Sequence, residues 1–232
     1  MHGSYVLGDY QPDRSDLDLL AVLAADPTAS TLARLAAVHD ALTTDAPESD
    51  GHVEVDYVSA AGVQAALRGA EPHPMVRISP GEPLHLTAAT AHYLLNWWAA
   101  SSHGRVLHCS PASELLPPIP VQRVRAVVLD HLRQWPQWAH EAQRAGNQAY
   151  AVLTVCRGVA TLDTGTQLSK RGAADYGERR YPSWSPLIGW ARDWWYAGGR
   201  DDEPGHFAEV VGFVTEVAGQ LEETDVAEAT DR

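Results

Sequence analysis

Gly3-Ser4, then Ser15-Asp16-Leu17-Asp18 running into Leu19-Leu20-Ala21-Val22-Leu23, is the stretch on which the fold turns. Five apolar residues after a polar turn read as a strand that enters a core. Side chains alternate along a strand, so Asp16 and Asp18 share a face, about 7 Å apart. Two carboxylates at that spacing can reach a shared pair of divalent cations. A Gly-Ser turn ahead of them offers a hydroxyl and backbone N–H groups to a phosphate. The combination points to metal-dependent nucleotide chemistry.

Outward from that strand, periodicity predicts a helix over residues 29–43, with Leu32, Leu35, Ala36, Val38 and Leu42 as its apolar positions. An acidic, Pro-containing loop is expected over 44–51. Val53, Val55 and Tyr57 alternate with Glu54, Asp56 and Val58 in a second strand, 52–59. A short helix over 60–68 follows. The four prolines between Pro72 and Pro83 leave room only for a short strand at Met75–Ser79. A helix rich in Leu and Trp is expected over 87–101, and a further short strand at Arg105–Cys109. Leu116-Pro117-Pro118-Ile119-Pro120 is the strongest punctuation in the chain. It divides an N-terminal domain, 1–118, from a helical one, 119–232. In the second, helices are expected over 121–145, 147–163, 170–180, 183–197 and 205–223, with a frayed polar tail from Asp225. The fold class is therefore α+β: a mixed sheet with helices, followed by an α-helical bundle.

The chain of 232 residues has 17 basic and 30 acidic side chains, a formal net charge of −13. Such a balance argues against nucleic acid or an anionic membrane as the main partner. It suits a cationic small molecule. There are only two cysteines, Cys109 and Cys156, as in a reduced cytoplasmic protein. The first residues have no signal-peptide character, and no apolar run is long enough to span a membrane. Lys170 is the only lysine; every other fixed basic residue is arginine. Trp97, Trp98, Trp184, Trp190, Trp194 and Trp195 recur at helical spacing and are expected to pack in cores. His103, His108 and His206 have no metal-ligand spacing.

Nucleotidyl transfer needs metals on the phosphates, a base for the attacking hydroxyl, and cations against the leaving pyrophosphate. Asp16 and Asp18 are hard oxygen ligands that suit Mg²⁺. Glu54 and Asp56 lie on one face of the next strand, and either supplies a third carboxylate.

At this point the residues resemble a known family. Gly3-Ser4…Ser15-Asp16-Leu17-Asp18 is similar to the Gly-Ser…Asp-x-Asp signature of the DNA polymerase beta-like nucleotidyltransferase superfamily. Val53-Glu54-Val55 is similar to its third carboxylate strand. Ala149-Tyr150-Ala151-Val152-Leu153-Thr154-Val155-Cys156-Arg157, Thr161-Leu162-Asp163-Thr164-Gly165 and Ser169-Lys170-Arg171-Gly172-Ala173-Ala174 resemble the helical domain of the streptomycin/spectinomycin (aminoglycoside) adenylyltransferases. Cys109-Ser110-Pro111 through Glu114-Leu115 has the family's shape as well.

The resemblance implies adenylyl transfer from ATP to a hydroxyl of an aminoglycoside or aminocyclitol antibiotic, giving resistance, by a cytoplasmic monomer. It implies two Mg²⁺ ions on Asp16 and Asp18, with Glu54, rather than Asp56, as general base. Ser4 and Ser15 would bind triphosphate oxygens. Arg157 and Lys170 would reach the outer phosphates of ATP, and Tyr150 falls where the family has an ATP-side asparagine. Family members carry a helix and a strand ahead of the Gly-Ser. Here the chain starts two residues before it, so unpaired backbone and exposed apolar surface are expected beside the first strand. The acids that hold streptomycin in the family fall at Gln143 and Asn147, and Trp135 or Trp138 stands in for its tryptophan. Transfer to another small-molecule or protein acceptor, and an inactive nucleotide-binding relative, are the alternative readings.

Overall fold

The computed structural model describes residues 1–46 and 51–230, with side chains as far as residue 222. Two compact units divide the chain, Met1–Val127 and Val128–Arg232.

The first unit is built on a four-stranded mixed sheet in the order β1-β2-β3-β4. β1 is Leu17–Leu23, β2 is Val53–Ser59, β3 is His73–Ser79 and β4 is Glu82–Ala89. β1 and β2 run parallel, as a helical crossover requires; the other pairs are antiparallel. That crossover is α2 (Ala29–Asp45), which starts on a reciprocal cap between Thr28 and Thr31. α3 (Ala60–Arg68) leaves β2 directly: Ser59 caps it, accepting from the Gly62 amide at 2.9 Å.

Val58, Val63, Met75, Leu94 and Trp97 form this unit's core, fully buried. It lies where β2, β3, α3 and α4 (Leu94–His103) meet. β1 is an edge strand, and its residues are half-buried rather than buried. α2 likewise buries no residue completely. One carbonyl of the β1 ladder, that of Asp18, accepts from the His2 amide at 2.9 Å.

Several expectations need correction. Residues 72–89 form a hairpin, not one short strand. β4 occupies Glu82–Ala89, so the helix expected from Thr87 begins only at Leu94, after a 3₁₀ turn at Ala91–Tyr93. Arg105–Cys109 is not a strand; Arg105 exchanges backbone bonds with Met1 at 2.8 and 3.0 Å. Two short helices, α1 (Gly3–Val6) and α5 (Ala112–Leu115), were not expected. The loop expected over 44–51 is helical through Asp45, and its residues 47–50 lie outside the described residues.

α6 (Val121–Ala139) begins in the first unit and ends in the second. It stops six residues earlier than the periodicity predicts, in the turns at 140–144. The second unit centres on α7 (Ala145–Thr164), which is buried on several faces through Ala149, Val152, Leu153, Val155, Cys156 and Val159. It ends at Gly165, whose φ of +68° is the left-handed cap that glycine accommodates. α8 (Lys170–Arg180) and α9 (Ser185–Tyr196) pack against α7, as does α10 (Phe207–Thr230). α10 runs on through the residues expected to form a tail from Asp225, and 231–232 lie outside the described residues. Gln148, buried, ties these turns together: its Oε1 accepts from the His206 amide at 2.6 Å and its Nε2 donates to Ala142 O at 3.0 Å.

Cys156 is sealed between α7 and α8, where burial pushes its thiol up to about 12. A Cβ on Gly177 of α8 would come within 2.6 Å of that sulfur. Cys109 is exposed and sits at φ +60°. Among the described residues no helix is long and apolar enough to cross a membrane.

Candidate active site

The face of the sheet in the first unit gathers the predicted carboxylates. Asp18 and Glu54 are direct partners across β1 and β2, so their side chains emerge side by side. Asp56 follows on the same face of β2, two residues on. Asp16 stands one residue ahead of β1, at its entrance.

Glu54 has the environment of a base. Only 18% of its side chain is exposed. Burial raises its carboxyl to about 7; Arg77 beside it pulls the other way, and Asp18 and Asp56 add to the rise. A carboxyl poised near neutral pH can take a proton and release it again. Asp56 is more deeply buried, at 2% exposure, and burial raises it too, against the pull of Arg77 and Trp97. Both of its oxygens are engaged: Oδ1 accepts from Arg77 Nη1 at 2.6 Å and Oδ2 from Trp97 Nε1 at 3.1 Å. Geometry thus separates two carboxylates that spacing alone left equivalent.

Gly3 presses against Asp18 from the turn ahead of the strand. A Cβ at Gly3 would collide with the Asp18 carboxylate, and its φ of +66° is left-handed. Ser4 follows at the start of α1, which packs on β1. Ser15 is buried; its Oγ accepts from the Gln11 amide at 3.0 Å, which leaves its hydroxyl proton to donate. His2 is buried as well, and burial lowers its imidazole to about 4, so it is neutral at neutral pH.

Among the described residues no group of three or more His, Cys, Asp or Glu is arranged to hold a metal ion. Mg²⁺ on a nucleotide needs fewer: one or two carboxylates, with substrate phosphates and water completing its shell. Asp16 and Asp18 meet that requirement by donor chemistry.

In the second unit the structure places Tyr150 and Arg157 on α7, seven residues and about two turns apart, which puts them on one side of the helix. Arg157 Nε donates to Leu168 O at 3.2 Å, which sets it beside the entrance to α8. Lys170 opens α8, its Nζ 3.6 Å from the Trp195 ring centroid; the next residue, Arg171, lies 3.9 Å over Tyr196. The rings from α9 thus seat two successive cations. Tyr150 is half exposed, its ring 6.1 Å from that of Trp135.

Sequence reasoning missed Arg77. Its signal was a lone charge in an otherwise apolar strand, Met75-Val76-Arg77-Ile78. It also missed Trp195 and Tyr196 as seats for cations.

Residues 114–220 match the family model of the aminoglycoside adenylyltransferase C-terminal domain. The fold resembles the crystal structure of spectinomycin adenyltransferase AAD(9) from Enterococcus faecialis with ATP and spectinomycin: TM-score 0.68 at 17% identity, covering 96% of this chain and 90% of that one. No curated protein sequence matches the chain. The match to the aminoglycoside adenylyltransferase C-terminal domain is thus confined to the helical half, and over nearly the whole chain the fold is like that of the spectinomycin adenyltransferase.

Proposed function

We propose that the protein transfers the adenylyl group of ATP to a hydroxyl of an aminoglycoside or aminocyclitol. The observation that carries this reading is Glu54: a half-buried carboxyl near pKa 7, in register with Asp18. Glu54 takes the acceptor's hydroxyl proton as the acceptor oxygen bonds to the α-phosphorus. The bond from that phosphorus to the bridging oxygen breaks, and pyrophosphate leaves. Asp16 and Asp18 are assigned to Mg²⁺, which when bound neutralises triphosphate charge and aligns the α-phosphate. Ser4 and Ser15 donate hydroxyl protons to phosphate oxygens. Arg157 and Lys170 are assigned to the outer phosphates, and Tyr150 to the nucleotide on the resemblance of its position to the family's asparagine. Lys170 suits that role as a compact point charge.

On the acceptor side, Gln143 and Asn147 are neutral where the family resemblance puts acids. Gln143 Nε2 donates to His140 O at 2.8 Å. A guanidinium-bearing acceptor finds no carboxylate there, so spectinomycin is the favoured acceptor over streptomycin. The test is pyrophosphate release from Mg²⁺-ATP with the two antibiotics side by side, and AMP-ester product by mass spectrometry. Release with spectinomycin supports the proposal. Silence with every aminocyclitol and aminoglycoside tried, from protein that still binds ATP, overturns it.

A further inference from the structure

We propose that Arg77 is a positioning residue for the adenylyl transfer: anchored from behind by Asp56, it fixes the orientation of the Glu54 carboxylate. The inference rests on the reading of Glu54 as the base.

Two strands carry the arrangement. Arg77 on β3 is the direct antiparallel partner of Asp56 on β2, and Glu54 lies diagonally beside it on the same face. The guanidinium splits its fork between them. Nη1 meets Asp56 Oδ1 at 2.6 Å, and Nη2 meets Glu54 Oε1 at 3.1 Å. The two contacts differ in kind. Asp56 is buried and held on its other oxygen by Trp97 Nε1, so it is a fixed post. Glu54 is the more exposed of the two carboxylates.

Arg77 is itself confined. Only 14% of its side chain is exposed, and its Cζ lies 5.3 Å from the ring centroid of Tyr93. That ring stacks on Trp97 at 5.8 Å and 24°. Trp97 is fully buried in the core of the unit. The order of constraint runs from core to site: Trp97 holds Asp56, Asp56 and Tyr93 hold Arg77, and Arg77 holds Oε1 of Glu54. Oε2 is then the oxygen presented to the acceptor hydroxyl. Side chains locked by such supporting contacts keep a reacting group within the narrow geometry that catalysis needs. A lysine cannot reproduce it, because one ammonium lacks the planar fork that spans two carboxylates.

The experiment compares wild type with R77K, R77M, D56N, E54Q and the double variant E54Q/R77M, using the acceptor that the wild-type enzyme turns over. We expect R77M to lower kcat about 10- to 100-fold while KM for ATP stays within about twofold of wild type. R77K is expected to recover little of that loss. Added ethylguanidinium should partly restore R77M but not E54Q. In the E54Q background R77M should lower kcat no further, because the two residues act as a unit. As a readout apart from turnover, ¹⁵N spectra should show slowly rotating Arg77 Nη groups in wild type and mobile ones in D56N. If R77M fails to fold, D56N, which keeps the shape and removes the anchor's charge, is read by the same kcat and KM criteria.

Wild-type kcat in folded R77M, a loss carried wholly by KM for ATP, or full additivity with E54Q would each overturn the proposal. An E54Q protein with wild-type kcat would instead sink the assignment of Glu54 as base, so the two failures are distinguishable.

Discussion

Gly3 stands so close to Asp18 that any side chain at position 3 would overlap the carboxylate, and its backbone is already left-handed at φ +66°. Gly3→Ala therefore meets two penalties at once, a steric one and a conformational one. We expect it to displace Asp18, lower the apparent affinity for Mg²⁺ severalfold, and cost more than about 1 kcal/mol of stability. Urea unfolding of the metal-free protein and Mg²⁺ titration of ATP binding measure the two effects separately.

Replacing Glu54 by glutamine removes the proposed proton acceptor and keeps the shape. Activity should fall by about 10²- to 10⁴-fold, while ATP binding measured by calorimetry stays near that of wild type. Retention of wild-type turnover would remove Glu54 from the mechanism.

The acidity of Glu54 has a definite sign in two experiments. With a folded-state value of about 7, the base is ionised only as pH rises through that value, so kcat/KM should climb with unit slope below it and level off above. Stability of the metal-free protein should move the other way. The folded carboxyl holds its proton up to about 7 and the unfolded one loses it near its ordinary 4.5. Stability contributed by the protonated form is therefore present below the lower value and is lost as pH rises through the upper. Asp56, raised by burial too, adds to the same trend. Denaturation midpoints between pH 4.5 and 8 should fall with rising pH in wild type and less so in E54Q.

Lys170 rests on the ring of Trp195, which steadies the charged head without removing its charge. Lys170→Met should raise KM for ATP about tenfold or more, because a desolvated contact to phosphate is worth at least about 1.4 kcal/mol. Trp195→Leu should produce a smaller rise of the same kind with little change in melting temperature. Equal KM values in all three proteins would separate Lys170 from the nucleotide.

Trp97→Phe keeps the ring and deletes the indole N–H that Asp56 Oδ2 accepts. A buried carboxylate oxygen left without its donor costs about 1–3 kcal/mol. Chemical denaturation should show that loss, with the slope of the transition unchanged.

Much of this architecture is legible in the chain itself. Period-two alternation at Val53, Val55 and Tyr57 set β2 and placed Glu54 and Asp56 on one face. The 3.6-residue pattern set α7, α8 and α9 within a few residues, and the start of α10 but not its end. The hairpin of β3 and β4 was hidden by its prolines. Pro74 falls at the start of β3 and Pro83 at the start of the edge strand β4, the positions where a missing N–H is tolerated. Pro80-Gly81, with Gly81 at φ +81°, is the turn signal that joins them. The carboxylates of the candidate site could be singled out because a chemical template asks for them. Arg77 could not, because its role depends on a cross-strand register that only pairing with β2 creates.

The two cysteines of this chain live in opposite worlds, and that makes the native protein its own reagent. Cys109 lies open on the first unit, whereas Cys156 is walled in by Gly177 with a thiol near pKa 12. A maleimide dye offered to the unmodified chain at neutral pH will attach once, at Cys109, with no engineering. A second dye can attach only when α8 lifts from α7. Counting adducts by mass against time therefore clocks the opening of the helical half, and a nucleotide that steadies those helices will slow the second adduct and leave the first alone.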